Sequence, residues 1–330
     1  MDRAVDWDSG AIVAVDQTVL PAELRHLRLT TVDEVVDAIR RLVVRGAPVI
    51  GVTGAFGVAI AARQHEEPGG RLDQAAVRRD AQRIADSRPT AVNLRWAVER
   101  VLTRLPDGAD AVLAEAQAVL AEDERANRTA ARRAADVLRE ECPDRPLRVL
   151  THCNSGALAT MGGGTAFGAI RELARDGRLE EAIATETRPL LQGARLTVWE
   201  LQQAGLPHRL CVDSAAAAAM AAGLVDAVVV GADRIAANGD TANKIGTYAL
   251  ACAAAHNRIP FVVVAPQSTV DADTLSGADI PIEERDADEV VRLAGADTTV
   301  PGTRAYNPAF DVTPADLITA IVTEQQVWRP

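Results

Sequence analysis

The run Val228-Val229-Val230-Gly231-Ala232-Asp233 constrains the fold more than any other stretch of this chain. Three successive valines leave no polar face, as in a strand buried on both sides within a parallel sheet. The run stops at a carboxylate. A polar loop containing Asn238-Gly239-Asp240 comes next and ends at Asn243-Lys244, after which apolar periodicity resumes over residues 245–255 as in a helix. Strand, loop and helix in that order are the repeating unit of an open α/β sheet, whose ligands sit beyond the carboxyl ends of the strands. Asp233 is expected at such an end. Lys244 falls at the expected helix start, and of the 35 lysines and arginines it is the only lysine. Its compact ammonium suits a phosphate in tight quarters, where the wide guanidinium fork of arginine fits less well.

The rest of the second half repeats the unit. Strand-like segments at residues 148–151, 182–185, 209–212, 227–230 and 261–264 alternate with helix-like segments at 166–175, 191–203, 215–222 and 245–255. This pattern predicts a Rossmann-like domain with a mostly parallel sheet and helices on both faces. A linker at Cys142-Pro143-Asp144-Arg145-Pro146 sets the expected boundary, with one domain over residues 1–142 and a second over 143–330.

The first domain reads as mainly helical with a small β element at 12–15 and 26–29. Thr31-Val32-Asp33-Glu34 fits a capping box that opens a helix. Arg45-Gly46-Ala47-Pro48 ends that helix and leads into a very apolar one over residues 49–62. Gly51, Gly54 and Gly57 recur there at every third position. Close helix packing explains them better than a nucleotide loop, because the spacing is not GxGxxG. Further helices are expected over 72–85, 93–105 and 109–140, with a break at Ser87-Arg88-Pro89-Thr90. The fold class is therefore α/β.

Charge and composition exclude several functions. A net charge of −11 disfavours nucleic acid as a main partner, although a small phosphorylated ligand needs only a local group of donors. Cys142, Cys153, Cys211 and Cys252 show no metal-ligand spacing and the five histidines are scattered, so no metal is expected. No glycine fingerprint comes after the first strand and no glycine precedes Lys244, which disfavours dinucleotide and nucleotide triphosphate cofactors. No signal peptide opens the chain and no apolar run approaches the roughly 20 residues of a membrane span. A cytoplasmic protein with reduced thiols, without membrane attachment, is the expectation.

Each expected strand of the second half ends in polar residues: Thr151-His152-Cys153-Asn154-Ser155-Gly156, Thr185-Glu186-Thr187-Arg188-Pro189, Asp213-Ser214, Asp233 and Pro266-Gln267-Ser268. Polar groups converging on one sheet edge make a pocket. Cys153 precedes a glycine-containing turn at an expected helix N-terminus, where backbone N–H groups lower a thiol pKa. Cys211 and Cys252 read as small packing residues. His152 adjoins Cys153, and strand alternation directs the two to opposite faces.

At this point a family becomes recognisable. Arg45-Gly46-Ala47-Pro48, residues 151–159, Glu186-Thr187-Arg188-Pro189, residues 192–197, 231–235 and 243–247, Ile282-Glu283-Glu284-Arg285, and residues 307–314 together resemble the methylthioribose-1-phosphate isomerase family. That superfamily also holds ribose-1,5-bisphosphate isomerases and regulatory subunits of translation initiation factor 2B. The resemblance covers nearly the whole chain. It implies a helical N-terminal domain, a Rossmann-like C-terminal domain, a homodimer, and conversion of 5-methylthioribose 1-phosphate to 5-methylthioribulose 1-phosphate in methionine salvage without metal or coenzyme. Substrate contacts carried over from the family fall on Arg45, Gly46, Ala47, Arg88, Gln192, Asn243 and Lys244, and the acid–base pair on Cys153 and Asp233. Thr185 departs from the pattern, which has an acidic residue there, and Gln325-Gln326 replace a charged residue and a glycine.

The implied chemistry asks for such residues. The anomeric carbon of the substrate carries phosphate, so the ring cannot open to a free aldehyde. A protonated group must meet the ring oxygen, and the hydrogen at C2 must move to C1, as proton or hydride. Asp233 serves as the acid if burial raises its pKa, and Cys153 as the relay. Arg45, Arg88 and Lys244 suit the phosphate, Gln192 a hydroxyl, and Val49, Ile50 and Phe56 a wall for the methylthio group. The rival readings are an isomerase of ribose 1,5-bisphosphate or 5-deoxyribose 1-phosphate, and a non-catalytic regulatory module, which has no need of Cys153 and Asp233 together.

Overall fold

The computed structural model describes residues 3–88 and 92–330. Contacts divide the chain into two compact units, one of residues 1–128 with 155–164, the other of residues 129–154 with 165–330. The division falls inside the long helix Ala109–Glu141, and the expected boundary at residues 142/143 lies just past its end.

In the first unit, β1 (Val5–Asp8), β2 (Ala11–Val15) and β3 (His26–Leu29) form an antiparallel sheet, one strand larger than the sequence suggests. α1 (Val32–Arg40) begins with the expected capping box: Thr31 Oγ1 accepts the Glu34 N–H at 3.2 Å, and the Glu34 carboxylate accepts the Thr31 N–H at 3.0 Å. α2 (Ala47–Gln64) is apolar all round and buried in the unit's core. Contrary to the expectation that no stretch approaches a membrane span, it is long and apolar enough to cross a bilayer by composition alone, yet here protein surrounds it.

The glycines of α2 are there for packing. A Cβ at Gly54 would lie 2.4 Å from Leu94 Cδ1, and one at Gly57 would lie 2.9 Å from Ile84 Cδ1. These contacts come from α3 (Gln74–Ala85) and α4 (Val92–Leu102), which stack on α2. Val49, Ile50 and Phe56, expected as a methylthio wall, are buried in this core, and Phe56 packs on Trp7 with ring centroids 5.4 Å apart. The break expected over residues 87–90 falls partly outside the described residues. α5 (Ala109–Glu141) comes next.

The second unit is built on a sheet of β4 (Leu147–Thr151), β5 (Leu179–Thr185), β6 (His208–Cys211), β7 (Ala227–Val230), β10 (Phe261–Val264), β15 (Ala320–Val322) and β16 (Val327–Trp328). Six strands run parallel in the order β6-β5-β4-β7-β10-β15, and β16 pairs antiparallel at the edge. Counted along the chain this is the 3-2-1-4-5-6 order of doubly wound sheets. Alternation along β7 supplies both faces. Val229 joins a core with Val149, Phe167 and Ile170, beneath α6 (Ala166–Arg175), while Val228 and Val230 join Leu150, Met220 and Leu250. The latter face carries α8 (Ala216–Ala221) and α9 (Thr247–Asn257).

The polar stretch after β7 differs from expectation. It is a β-hairpin, β8 (Arg234–Ala236) and β9 (Thr241–Lys244), in a second sheet with β11 (Val270–Asp271) and β14 (Phe310–Thr313). Asn238-Gly239 forms its turn, with Gly239 at φ +93°. That dipeptide is a hairpin signal, so a turn between two strands, and not a single loop, is its natural setting. β12 (Arg292–Leu293) and β13 (Ala296–Asp297) make a separate small hairpin.

Asp226, one residue before β7, locks that strand to β4. Its carboxylate accepts the Arg148 N–H at 2.8 Å, Arg148 Nε at 3.0 Å and Arg145 Nη2 at 2.6 Å, while its own N–H donates to Arg148 O at 2.8 Å. Burial opposes the charge, but the Arg148 and Arg145 donors outweigh it and hold the carboxyl at about 2. A folded-state value below the unfolded one gives stability that is complete above about pH 4 and is lost as the pH falls towards 2. Asp226→Asn is expected to lose about 1–3 kcal/mol at neutral pH and to flatten this acid limb in denaturant titrations. An unchanged midpoint and acid slope would contradict the assignment.

Candidate functional site

The site is assembled from the segments that leave the carboxyl ends of the parallel strands. β4 ends at Thr151, and the next three residues are all buried. Cys153 adopts a left-handed backbone with φ +61°, uncommon for a residue with a Cβ. Its N–H donates to Thr187 Oγ1 at 2.9 Å, and its carbonyl accepts the Thr197 hydroxyl. Asn154 Nδ2 donates to Thr197 Oγ1 at 3.2 Å and to the carboxylate of Glu200. The expected helix N-terminus at Cys153 is absent: residues 155–164 form turns, Gly162, Gly163 and Gly164 all have positive φ, and α6 starts only at Ala166. Helix-dipole activation of this thiol therefore falls away.

His152 is fixed on both ring nitrogens. Nε2 lies 2.8 Å from Ile245 O and Nδ1 lies 2.6 Å from Thr185 Oγ1. A carbonyl only accepts, so Nε2 carries the proton and Nδ1 accepts from Thr185. Burial pushes the pKa of the ring down, against the Ile245 bond and the charge of Asp213, so the imidazole is neutral. The strand-alternation argument for His152 and Cys153 does not apply, since β4 has already ended. Thr185, a departure from the family pattern, lies inside this network.

The segment after β5 is tight. Thr187 is itself left-handed at φ +64°, and the N–H groups of Thr187 and Arg188 donate to the two oxygens of Asp213 at 2.8 and 2.7 Å. The helix expected over 191–203 is instead a π-type turn at Gly193–Thr197 leading into α7 (Val198–Gln203). A Cβ on Gly193 would lie 1.7 Å from Thr185 O, so only glycine fits. Gln192 stands at the start of this turn, buried, and its Oε1 has no hydrogen-bond partner among the described residues. An orphaned buried oxygen is costly unless a ligand or water meets it.

After β7, half-buried Asp233 donates its N–H to Ala242 O at 2.9 Å and so opens the β8–β9 hairpin. β4 and β7 are adjacent strands, and the sheet order reverses between them. Cys153 and Asp233 thus come directly after the two strands that flank the switch point. Asn243 and Lys244 are not at a helix start: they close β9, opposite Asp311 and Phe310 of β14. Asn243 Nδ2 donates to Thr247 Oγ1 at 3.0 Å. Lys244 Nζ donates to Ala309 O at 2.9 Å and lies 4.3 Å from the centroid of the Phe310 ring. Asp311 accepts the N–H groups of Gly246 and Tyr248 at 2.7 and 3.1 Å, and burial pushes its carboxyl up. His152, Thr187, Thr197, Glu200 and Asp311 carry no role expected from the sequence, although all but Glu200 lie in or beside the family motifs.

Arg45, Gly46, Ala47 and Arg88 belong to the first unit. Gly46 has φ +87°, and a Cβ there would lie 2.4 Å from Ala159 O. Ala47 is the first residue of α2, and Val49 N–H donates to the same Ala159 carbonyl at 3.3 Å. Arg45 and Arg88 are half-buried. Among the described residues, no group of three His, Cys, Asp or Glu side chains is placed to hold a metal ion.

Comparison with known proteins fits this architecture. The initiation factor 2 subunit family model matches residues 43–330. A probable bifunctional methylthioribose-1-phosphate isomerase/methylthioribulose-1-phosphate dehydratase of Nocardia farcinica is 62% identical over 99% of this chain, which spans 59% of that protein's length. The methylthioribose-1-phosphate isomerase of Anaeromyxobacter sp. is 56% identical, with 96% of this chain and 90% of the relative covered. The crystal structure of 5-methylthioribose 1-phosphate isomerase from Pyrococcus horikoshii superposes with a TM-score of 0.92 at 40% identity, covering 100% of this chain and 93% of the other. A structure described as the delta subunit of translation initiation factor eIF-2B, from A. fulgidus, gives 0.90 at 39% identity, covering 100% and 96%. The chain belongs to the initiation factor 2 subunit family and, within it, to the methylthioribose-1-phosphate isomerases.

Proposed function

We propose that this chain converts 5-methylthioribose 1-phosphate to 5-methylthioribulose 1-phosphate in methionine salvage, as a cytoplasmic homodimer. The observation that carries the reading is the 56% identity to an isomerase over nearly the full length of both chains. Support comes from the switch-point placement of Cys153 and Asp233 and from the orphaned Oε1 of buried Gln192.

In this reading the Asp233 carboxyl gives its proton to the ring oxygen as the C1–O bond breaks. The hydrogen of C2 then goes to C1 while the C2 hydroxyl proton returns to the Asp233 carboxylate, so C2 becomes the ketone, the phosphate stays on C1 and the acid is regenerated. Atoms and electrons balance without an external oxidant or reductant. Lys244 and Asn243 serve the phosphate and sugar, Gln192 accepts a sugar hydroxyl, and Arg45, Gly46, Ala47 and Arg88 complete the set of substrate contacts. Cys153 either carries the C2 proton to C1 or lines the path of a hydride. Product formed in D₂O carries deuterium at C1 in the first case and none in the second.

Asp233→Asn is expected to lower kcat by about 10²–10⁴ while product still binds. Full activity in that variant would refute its role as the acid. Gln192→Leu satisfies packing but offers no acceptor, and is expected to raise KM about tenfold or more, read by steady-state kinetics. An unchanged KM would remove Gln192 from the substrate contacts. Turnover of 5-methylthioribose 1-phosphate, assayed beside ribose 1,5-bisphosphate, tests the substrate itself: faster turnover of the bisphosphate would overturn the assignment.

A further inference from the structure

A left-handed backbone at a residue with a Cβ is strained and persists only where the surroundings impose it. At Cys153 two buried threonines impose it. Thr187 takes the N–H at 2.9 Å and Thr197 gives its hydroxyl proton to the carbonyl. Both peptide groups of Cys153 are therefore tied to side chains whose branched Cβ leaves little torsional freedom.

The Thr187 hydroxyl is itself held in one orientation. Its proton goes to Thr185, whose Oγ1 lies at 3.2 Å and carbonyl at 3.3 Å. The Thr185 hydroxyl proton is in turn taken by His152 Nδ1, because Nε2–H is committed to Ile245 O. Only lone pairs of Thr187 Oγ1 are left to face Cys153. The backbone of Thr187 is pinned by Asp213 beyond β6. On the other side, Thr197 is oriented by Asn154 and stands in the π-type turn that Gly193 allows.

We propose that Thr187 and Thr197 are positioning residues for the isomerisation, holding the Cys153 thiol through the two peptide groups that flank its Cα. This rests on the reading of Cys153 as a member of the reacting site. Neither threonine needs to touch substrate. Their effect falls on the chemical step, because displacing a reacting group by about 1 Å costs on the order of 10²-fold in rate.

The test compares Thr187→Val with Thr187→Ser, and Thr197→Val with Thr197→Ser, in the full chain. The valine variants keep shape and lose the hydroxyl, whereas the serine variants keep it. The valine variants are expected to lower kcat by about 10–100-fold with KM within about threefold, and the serine variants to recover kcat to within about threefold. A second readout needs no substrate: the rate of iodoacetamide alkylation at Cys153, resolved by peptide mapping, with Cys211 and Cys252 as internal references. It is expected to change in the valine variants alone. If one valine variant does not fold, the other position is read by the same criteria. Wild-type kcat and alkylation rates in the valine variants, or equal impairment of valine and serine variants, overturn the proposal. A wild-type protein that does not turn over 5-methylthioribose 1-phosphate overturns the functional reading instead, and the alkylation rates still decide the positioning role.

Discussion

The strand order of the second unit reverses between β4 and β7, and the candidate chemistry depends on that reversal. Connections from strands on either side of such a point lead away to opposite sides, so the ends of the two central strands are left uncovered. Here those ends lead to Cys153 and to Asp233. The register of the pair is set at the far end by Asp226, which accepts the Arg148 N–H and donates to the Arg148 carbonyl. One carboxylate at the amino ends thus ties together the two strands that lead to Cys153 and Asp233.

The valine run is enough to locate β7, since 228–230 offers no alternative to full burial and the strand spans Ala227–Val230. The parallel strands β4, β5, β6 and β10 and the helix α6 are legible from the alternation of strand-like and helix-like segments, whereas β15 and the edge strand β16 are not anticipated. Nor is the second sheet. Thr241-Ala242-Asn243-Lys244 has neither a valine-rich run nor clean alternation, and it becomes a strand by pairing with β14, some 70 residues later in the chain. That distant partner is what moves Asn243 and Lys244 from an expected helix start to a strand end. The backbone of Cys153 is equally hidden, because its partners Thr187 and Thr197 lie 34 and 44 residues away. The position of Cys153 after a strand can be read locally. Its conformation cannot.

The lone lysine now has a physical setting. Its ammonium meets one carbonyl and the face of Phe310, a seat that fits a compact cation better than a planar fork. Neighbouring Asp311 is occupied by two backbone N–H groups at the start of α9. His152 is kept neutral by burial and spends both nitrogens on fixing the corner between β4 and α9. The groups that hydrogen-bond around Cys153 are therefore mostly neutral residues, which fix geometry without adding charge, while Lys244 brings an ammonium to the end of β9.

A crystal structure of the protein soaked with 5-methylthioribulose 1-phosphate tests this arrangement most directly. The sugar is predicted beside the β4 and β7 ends, with the Asp233 carboxylate and Cys153 Sγ flanking C1 and C2, the carboxylate at a hydrogen-bonding distance of roughly 2.6–3.2 Å from a sugar oxygen. Gln192 Oε1 is predicted to accept a sugar hydroxyl. Product bound elsewhere, or bound there with Asp233 turned away from the sugar, would contradict the assignment.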